Sequence, residues 1–302
     1  MQAIKSSNLG KSYNFKSLIN RYDIFLMDVW GTIYDGIKPY PNSVDCLNYL
    51  DKIGKTVLYV SNSPRPSTVV ASRLNSLGVT AEADMVVTAG DIVRYQLTHY
   101  KDSVFNTIGR RMYHLEAKTN TDILKGLNVN LVDELEQADF ILLTVSLKEG
   151  NDLNQYDHLL KKAAFLNIPM ICVNPDIKAY EGDKLRFCSG TFAEKYKSMN
   201  GKVHYYGKPY SNIYEFVSKK LEKIIDYDKN RTIMIGDSLE TDIAGAKQAG
   251  IDSAIVLTGN MNKLMMTKSH EGYTQADLLL RLFKSYEIKP NWVLFDWSIK
   301  TS

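Results

Sequence analysis

DIFLMDVWGTIYDG, Asp23 to Gly36, is the stretch from which the fold can be read outward. Its apolar run from Ile24 to Val29 admits one acid, Asp28, and then breaks into a Gly31-Thr32 turn. A short apolar run bounded by a turn reads as a strand buried on both faces, the kind found in parallel sheets covered by helices. A carboxylate directly after a buried strand is costly unless a positive group opposes its charge. Two positions further on stands Trp30, a large indole with no ionisable group, in what otherwise reads as a catalytic loop.

Four similar runs lie outward from this one: TVLYVS (Thr56 to Ser61), VHYYG (Val203 to Gly207), TIMIGD (Thr232 to Asp237) and SAIVLT (Ser253 to Thr258). Each is followed by helical periodicity, so the expected class is α/β with a Rossmann-like parallel sheet. Ligands of such sheets lie outside the carboxyl ends of the strands, where loops and helix N-termini converge. The long middle region carries strands of its own in MVVTA, ADFILLTVS and PMICVN, and a helix around Asn151 to Leu166. That is too much regular structure for a loop. The expected division is therefore a discontinuous core, 1–82 and 188–302, with an inserted α/β cap domain at 83–187 that closes over substrate.

Bulk properties agree with a folded, two-unit chain. Its 302 residues exceed one ordinary core, and 44% hydrophobic with 24% charged residues is average for globular proteins. The net charge of +3 is small and its basic residues are interleaved with acids, so no nucleic-acid face is expected. Cys46, Cys172 and Cys188 have neither disulfide-framework nor metal-ligand spacing and read as small buried hydrophobes. The N-terminus lacks a leader-type apolar core, and runs such as FILLTVSL fall short of the ~20 residues of a membrane helix. A cytoplasmic protein with no membrane partner is expected.

The strand ends carry the chemistry. Ser61 and Asn62 stand where a hydroxyl and a helix N-terminus bind phosphate oxygens; alone, they also read as an ordinary turn. Lys208 is aimed by a Gly-Lys-Pro turn. Asp237 ends its strand and Asp242 follows at a helix start, a pair suited to Mg²⁺, which takes one or two carboxylates with phosphate oxygens and water. Alone, Asp242 or Ser238 reads equally as a helix N-cap. An acid, a hydroxyl, a lysine and an acid pair at four strand ends together meet the needs of phosphoryl transfer: a nucleophile, a cation, and positive charge for the transferred oxygens.

DVWGT, VSNS, GKP and GDSLETDIAGAKQAG, in that order over about residues 20–260, resemble the haloacid dehalogenase superfamily, and within it the class IIA phosphatases. NPD at Asn174 to Asp176 is similar to a segment of their caps. The resemblance implies an aspartyl-phosphate on Asp28, with Mg²⁺ held by Asp28, the backbone carbonyl of Trp30 and Asp237. It places Asp242 beside a metal-bound water or Lys208, and Ser61 and Asn62 with Lys208 on the phosphoryl group. The implied function is a Mg²⁺-dependent phosphatase acting on a small phosphorylated metabolite, sugar phosphate or nucleotide.

Trp30 departs from the pattern. In these phosphatases a second aspartate occupies that position, protonates the leaving alcohol and later activates water. Losing general acid–base help costs roughly 10²- to 10⁴-fold. A weakened phosphate-ester binder, serving as sensor or structural partner, and a phosphotransferase are the alternatives. Asp35 is a candidate replacement donor. Trp30, Asn174, Asp176 and the segment Tyr180 to Arg186, with Lys184 or Arg186 for a second anion, are candidate substrate contacts. Homodimers through the cap are implied by resemblance, which does not extend to the residues beyond about 262.

Overall fold

A computed structural model describes residues 3–5, 12–13, 15–115, 121–268 and 273–297. Most of the N-terminal stretch read above as lacking a leader lies outside the described residues, as does Ser298. The largest sheet has eight strands, ordered Ser12–Tyr13, Ala3–Lys5, Trp292–Leu294, Asp252–Val256, Thr232–Gly236, Ile24–Met27, Thr56–Ser61 and Val86–Thr88. Pairing is parallel from Trp292–Leu294 to Val86–Thr88, and antiparallel where Ala3–Lys5 joins the edge. Ile24–Met27 lies inside, with Thr56–Ser61 on one flank and Thr232–Gly236 on the other. The chain leaves it on one side and returns on the other, which opens a crevice at its carboxyl end.

The apolar run in the opening stretch has a two-sided cause. Phe25 and Met27 pack with Leu18, Leu47, Leu50 and Leu74 from helices Phe15–Arg21, Ser43–Lys52 and Ser67–Ser76. Ile24 and Leu26 pack on the opposite layer with Ile92, Val93, Ile213 and Val217 from helices Ala89–His99 and Ser211–Leu221. Neither face has room for a polar side chain until Asp28, whose N–H still donates to the Ile235 carbonyl at 2.9 Å.

A second, wholly parallel sheet is ordered Val203–Tyr206, Met170–Val173, Phe140–Leu143, Arg111–Leu115 and Asn130–Leu131. A small antiparallel sheet of Lys178–Glu181, Lys184–Phe187 and Leu147–Lys148 projects from it. Two expected assignments change. Val203–Tyr206, read as a core strand, pairs with Met170–Val173, and the Tyr206 ring packs on Phe105 with centroids 5.6 Å apart. Val86–Thr88, read as part of the insert, pairs with Thr56–Ser61, and its two valines fill opposite faces of the first sheet. Borders at 83 and 187 cut across this hydrogen bonding; a division that follows it falls after Thr88 and after Tyr206. The helix expected from Asn151 begins only at Asp157 and ends at Phe165.

The C-terminal segment that resemblance did not place joins the core. Trp292–Leu294 extends the first sheet, and Trp297, 1% exposed, donates its indole N–H to the Thr32 carbonyl at 3.1 Å. Among the described residues, no helix is long and apolar enough to cross a membrane. Leu26 is fully buried against helices Ala89–His99 and Ser211–Leu221, so Leu26→Ala is expected to cost about 2–5 kcal/mol in denaturant unfolding. A loss well under about 1 kcal/mol would contradict this packing.

Candidate active site

A cavity of about 520 Å³ opens at the carboxyl ends of the central strands, and Asp28, Trp30, Ser61, Asn62, Asn174, Asp176, Asp237 and Asp242 all line it. Lys208, 1% exposed, is buried among the carboxylates. Its ammonium lies 2.5 Å from Asp28 Oδ1 and 2.7 Å from Asp242 Oδ1, and donates to the Val60 carbonyl at 2.8 Å. One ammonium thus faces three oxygens, two as hydrogen-bond acceptors and the third as an ion-pair partner. Burial works against the charge of this lysine, but Asp242 and Asp28 outweigh it and hold the ammonium protonated above the ordinary lysine range.

Glycines set the spacing. A Cβ on Gly236 would fall on the Asp242 carboxyl, and one on Gly31, whose φ is +87°, would strike Asp237. Asp242 Oδ2 accepts the Ser238 N–H at 3.1 Å, whereas the cap of the following helical turn is the Ser238 hydroxyl, which accepts the Thr241 N–H at 3.3 Å. The cap alternative for Asp242 is thereby excluded. Asp237 Oδ2 accepts the Asn260 N–H at 2.5 Å.

Asp28, Asp237 and Asp242 each offer an oxygen, all within 4.8 Å of one another, against the single lysine. The excess negative charge is visible in the protonation behaviour. Burial, reinforced by Asp28 and Asp242, pushes Asp237 well above the carboxylate range. Burial likewise pushes Asp242 up to about 7, against the pull of Lys208. Asp28 Oδ2 is buried with no hydrogen-bond partner. An all-oxygen donor set with two surplus charges and an orphaned oxygen fits a hard divalent cation.

Both ends of the Asn62 amide are engaged: Oδ1 accepts the Lys208 N–H at 2.6 Å, and Nδ2 donates to the Lys208 carbonyl and to Asp176 Oδ1, each at 3.0 Å. Ser61 Oγ accepts the Ser63 N–H at 3.2 Å and faces the same cavity. Trp30 turns toward the cap. Its indole N–H donates to the Tyr180 carbonyl at 2.8 Å, its ring lies 5.4 Å from that of Tyr34, and a Cβ on Gly36 would touch it at 2.5 Å. Asp35, the candidate replacement donor, accepts the Ile37 and Lys38 N–H groups at 2.8 Å each and so staples its own turn. Of the two candidate anion grips, Arg186 lines the cavity and pairs with Glu181 at 2.8 Å, whereas Lys184 is exposed elsewhere.

Sequence reasoning missed Tyr40, whose hydroxyl accepts the Gly259 N–H at 3.1 Å, and Asn260 beside Asp237. The signal was present, because Thr258 ends the run Ser253 to Thr258 and strand ends are where chemistry collects. Arg65 and Arg73 also reach the cavity and carried no motif.

Removing the lysine leaves buried carboxylates uncompensated. Lys208→Met is therefore expected to lower stability by about 3–5 kcal/mol in denaturant titrations without divalent metal. The penalty should shrink as pH falls from about 8 to 5, because Asp237 and Asp242 then take up protons in place of the lost ammonium. A penalty independent of pH would contradict this electrostatic account.

The family model described as haloacid dehalogenase-like hydrolase matches residues 25–130, and a second, described as HAD-hydrolase-like, matches residues 205–282. The chain is 24% identical over 273 residues to a 4-nitrophenylphosphatase of Schizosaccharomyces pombe, covering 84% of this chain and 90% of that one. It is 27% identical over 268 residues to an acid sugar phosphatase of Staphylococcus saprophyticus, covering 86% and 96%. Its structure superposes with a TM-score of 0.73 on a haloacid dehalogenase-like hydrolase from Brucella suis at 32% identity, covering 82% and 89%. With the parallel sheet, the buried lysine and its three carboxylates already in place, this likeness along most of both chains means that the protein belongs to the haloacid dehalogenase-like hydrolase family.

Proposed function

We propose that the protein is a Mg²⁺-dependent phosphatase that acts on a small phosphorylated metabolite through an aspartyl-phosphate on Asp28. The observation that carries this reading is the buried Lys208 ammonium held at once by Asp28 and Asp242, with Asp237 within reach of both. A pure phosphate binder has use for a cation and a lysine but not for a carboxylate facing them at the crevice. Asp28, Asp237 and the Trp30 carbonyl would hold Mg²⁺, with Asp242 beside them; when bound, the ion supplies positive charge against the phosphoryl oxygens. Lys208 fixes the Asp28 carboxylate in place and offsets charge as the phosphoryl group approaches. Ser61 provides a hydroxyl at the same end of the cavity. Asn62 acts on the Lys208 turn, which it grips through both its N–H and its carbonyl.

A cavity of about 520 Å³ suits a metabolite-sized ester. Names of relatives, which include a 4-nitrophenylphosphatase, an acid sugar phosphatase and a D-glycerol 3-phosphate phosphatase, support the same substrate class without selecting one member. One observation favours a second reading: Trp30 gives its only polar hydrogen to Tyr180 and leaves position 30 without a proton donor. On that reading the protein binds phosphate esters with little turnover, or passes the phosphoryl group to another acceptor.

Release of nitrophenolate from 4-nitrophenyl phosphate decides between them. The unaltered protein is expected to turn over only with Mg²⁺, and Asp28→Asn to abolish turnover; an inert unaltered protein that becomes active as Trp30→Asp would favour the second reading. Binding of Mg²⁺ itself is tested by thermal unfolding. Because Asp237 and Asp242 have raised carboxyl pKa values and must shed protons to accept the ion, stabilisation by Mg²⁺ should grow as pH rises from about 5 to 8.

A further inference from the structure

The phosphatase reading leaves a departing alkoxide in need of a proton that Trp30 cannot give. Other carboxylates near the cavity are committed: Asp237 and Asp242 belong to the lysine and cation cluster, Glu181 is paired with Arg186, and Asp35 holds two turn amides. Asp176 is not. We infer that Asp176, contributed by the inserted unit, is the acid that protonates the leaving oxygen in place of a residue at position 30, an inference that rests on the phosphatase reading.

The geometry around Asp176 is built rather than incidental. Asn174 adopts a φ of +89° and its Oδ1 accepts the Asp176 N–H at 3.1 Å, which fixes the turn. Pro175 lies so close to the Gly207 backbone that a Cβ there would come within 2.8 Å of it, so the turn rests directly on the segment that presents Lys208. Asp176 Oδ1 accepts from Asn62, Asn62 accepts from the Lys208 N–H, and the Lys208 ammonium holds Asp28. Asn62 and Lys208, the latter through its backbone N–H on one side and its ammonium on the other, therefore tie the proposed acid to the proposed nucleophile. Both line the same cavity, Asp176 is only partly buried, and among the described residues none hydrogen-bonds its Oδ2.

Its environment suits a proton donor. Burial raises the Asp176 carboxyl to about 6, against the pull of Lys208 and Asn62. Asp28, Glu240, Asp237 and Asp242 face it and favour its protonated form, while Arg65, Arg73 and Arg186 line the same cavity with the opposite charge. An acid that titrates near the working pH can both give and take a proton.

The proton balance closes over two steps. An Asp28 oxygen bonds to phosphorus as the bond from phosphorus to the leaving oxygen breaks, and the Asp176 carboxyl gives that oxygen its proton. A water then attacks phosphorus as the bond to Asp28 breaks, the Asp176 carboxylate takes the water's proton, and inorganic phosphate departs with both carboxyl groups restored.

The test compares an alkyl ester, glycerol phosphate, with 4-nitrophenyl phosphate, whose leaving group departs without a proton. Asp176→Asn keeps the acceptor for Asn62 and removes only the acid. It is expected to lower kcat/KM for glycerol phosphate by about 10²- to 10⁴-fold, and for 4-nitrophenyl phosphate at least about tenfold less. Asp176→Glu should recover part of the alkyl activity. In the unaltered protein, alkyl hydrolysis should fall as pH rises above about 6, a limb that 4-nitrophenyl phosphate should not share. Equal losses on both esters would make Asp176 a structural brace and overturn the inference, as would an unchanged rate on glycerol phosphate. If the unaltered protein hydrolyses neither ester with Mg²⁺, the phosphatase reading itself fails and the inference falls with it.

Discussion

The buried ammonium of Lys208 is the constraint on which the centre of this molecule depends. Desolvating a lysine costs several kcal/mol and is tolerated only where charge and hydrogen bonds are returned in full. Asp28, Asp242 and the Val60 carbonyl supply that return from two strand ends and a helical turn. The lysine consequently fixes their mutual positions, and the glycines at 31 and 236 exist where any larger residue would push a carboxylate out of reach. The same arrangement overshoots: three acids against one base leave a charge surplus of the kind a divalent ion would relieve. Structure and cofactor demand are thus two aspects of one electrostatic imbalance.

Much of this was legible in the sequence. IFLM could be read as a doubly buried strand because both of its faces are covered by helices, and Asp28, Lys208, Asp237 and Asp242 could be grouped because each follows such a strand. What sequence could not supply was sheet membership for short runs. Val203–Tyr206 and Val86–Thr88 look alike as apolar runs, and only their hydrogen-bond partners separate them into different sheets. Asn62 was legible as a strand-end polar residue, but its grip on Asp176 and Lys208 depends on two turns that arrive from 114 and 146 positions away. Trp297 carried no motif at all, since its task is to fill a space and satisfy one carbonyl.

Trp30 unites the two units of the chain where a carboxylate would have served chemistry. Its N–H reaches the Tyr180 carbonyl, the Gly182 N–H reaches the Asp35 carbonyl at 2.7 Å, and Lys263 pairs with Asp183 at 2.7 Å. The loop after Asp28 and helix Gly259–Lys268 are thereby both joined to the small antiparallel sheet and its turn. An aspartate at position 30 would lack the indole that makes the first of these contacts. On the phosphatase reading, position 30 holds a structural group, and the demand for acid chemistry falls on the other wall of the cavity.

The hydrophobic layer around helix Ala89–His99 has a further consequence. Ile92, Val93 and Leu97 belong to one continuous cluster with Leu26 and Val60 of the first sheet and with Phe140, Ile171 and Val173 of the second. An insert joined only by its two crossing strands would be a cassette, exchangeable between relatives to transplant specificity. Here the boundary runs through shared apolar packing, so a graft would have to carry both walls of that seam.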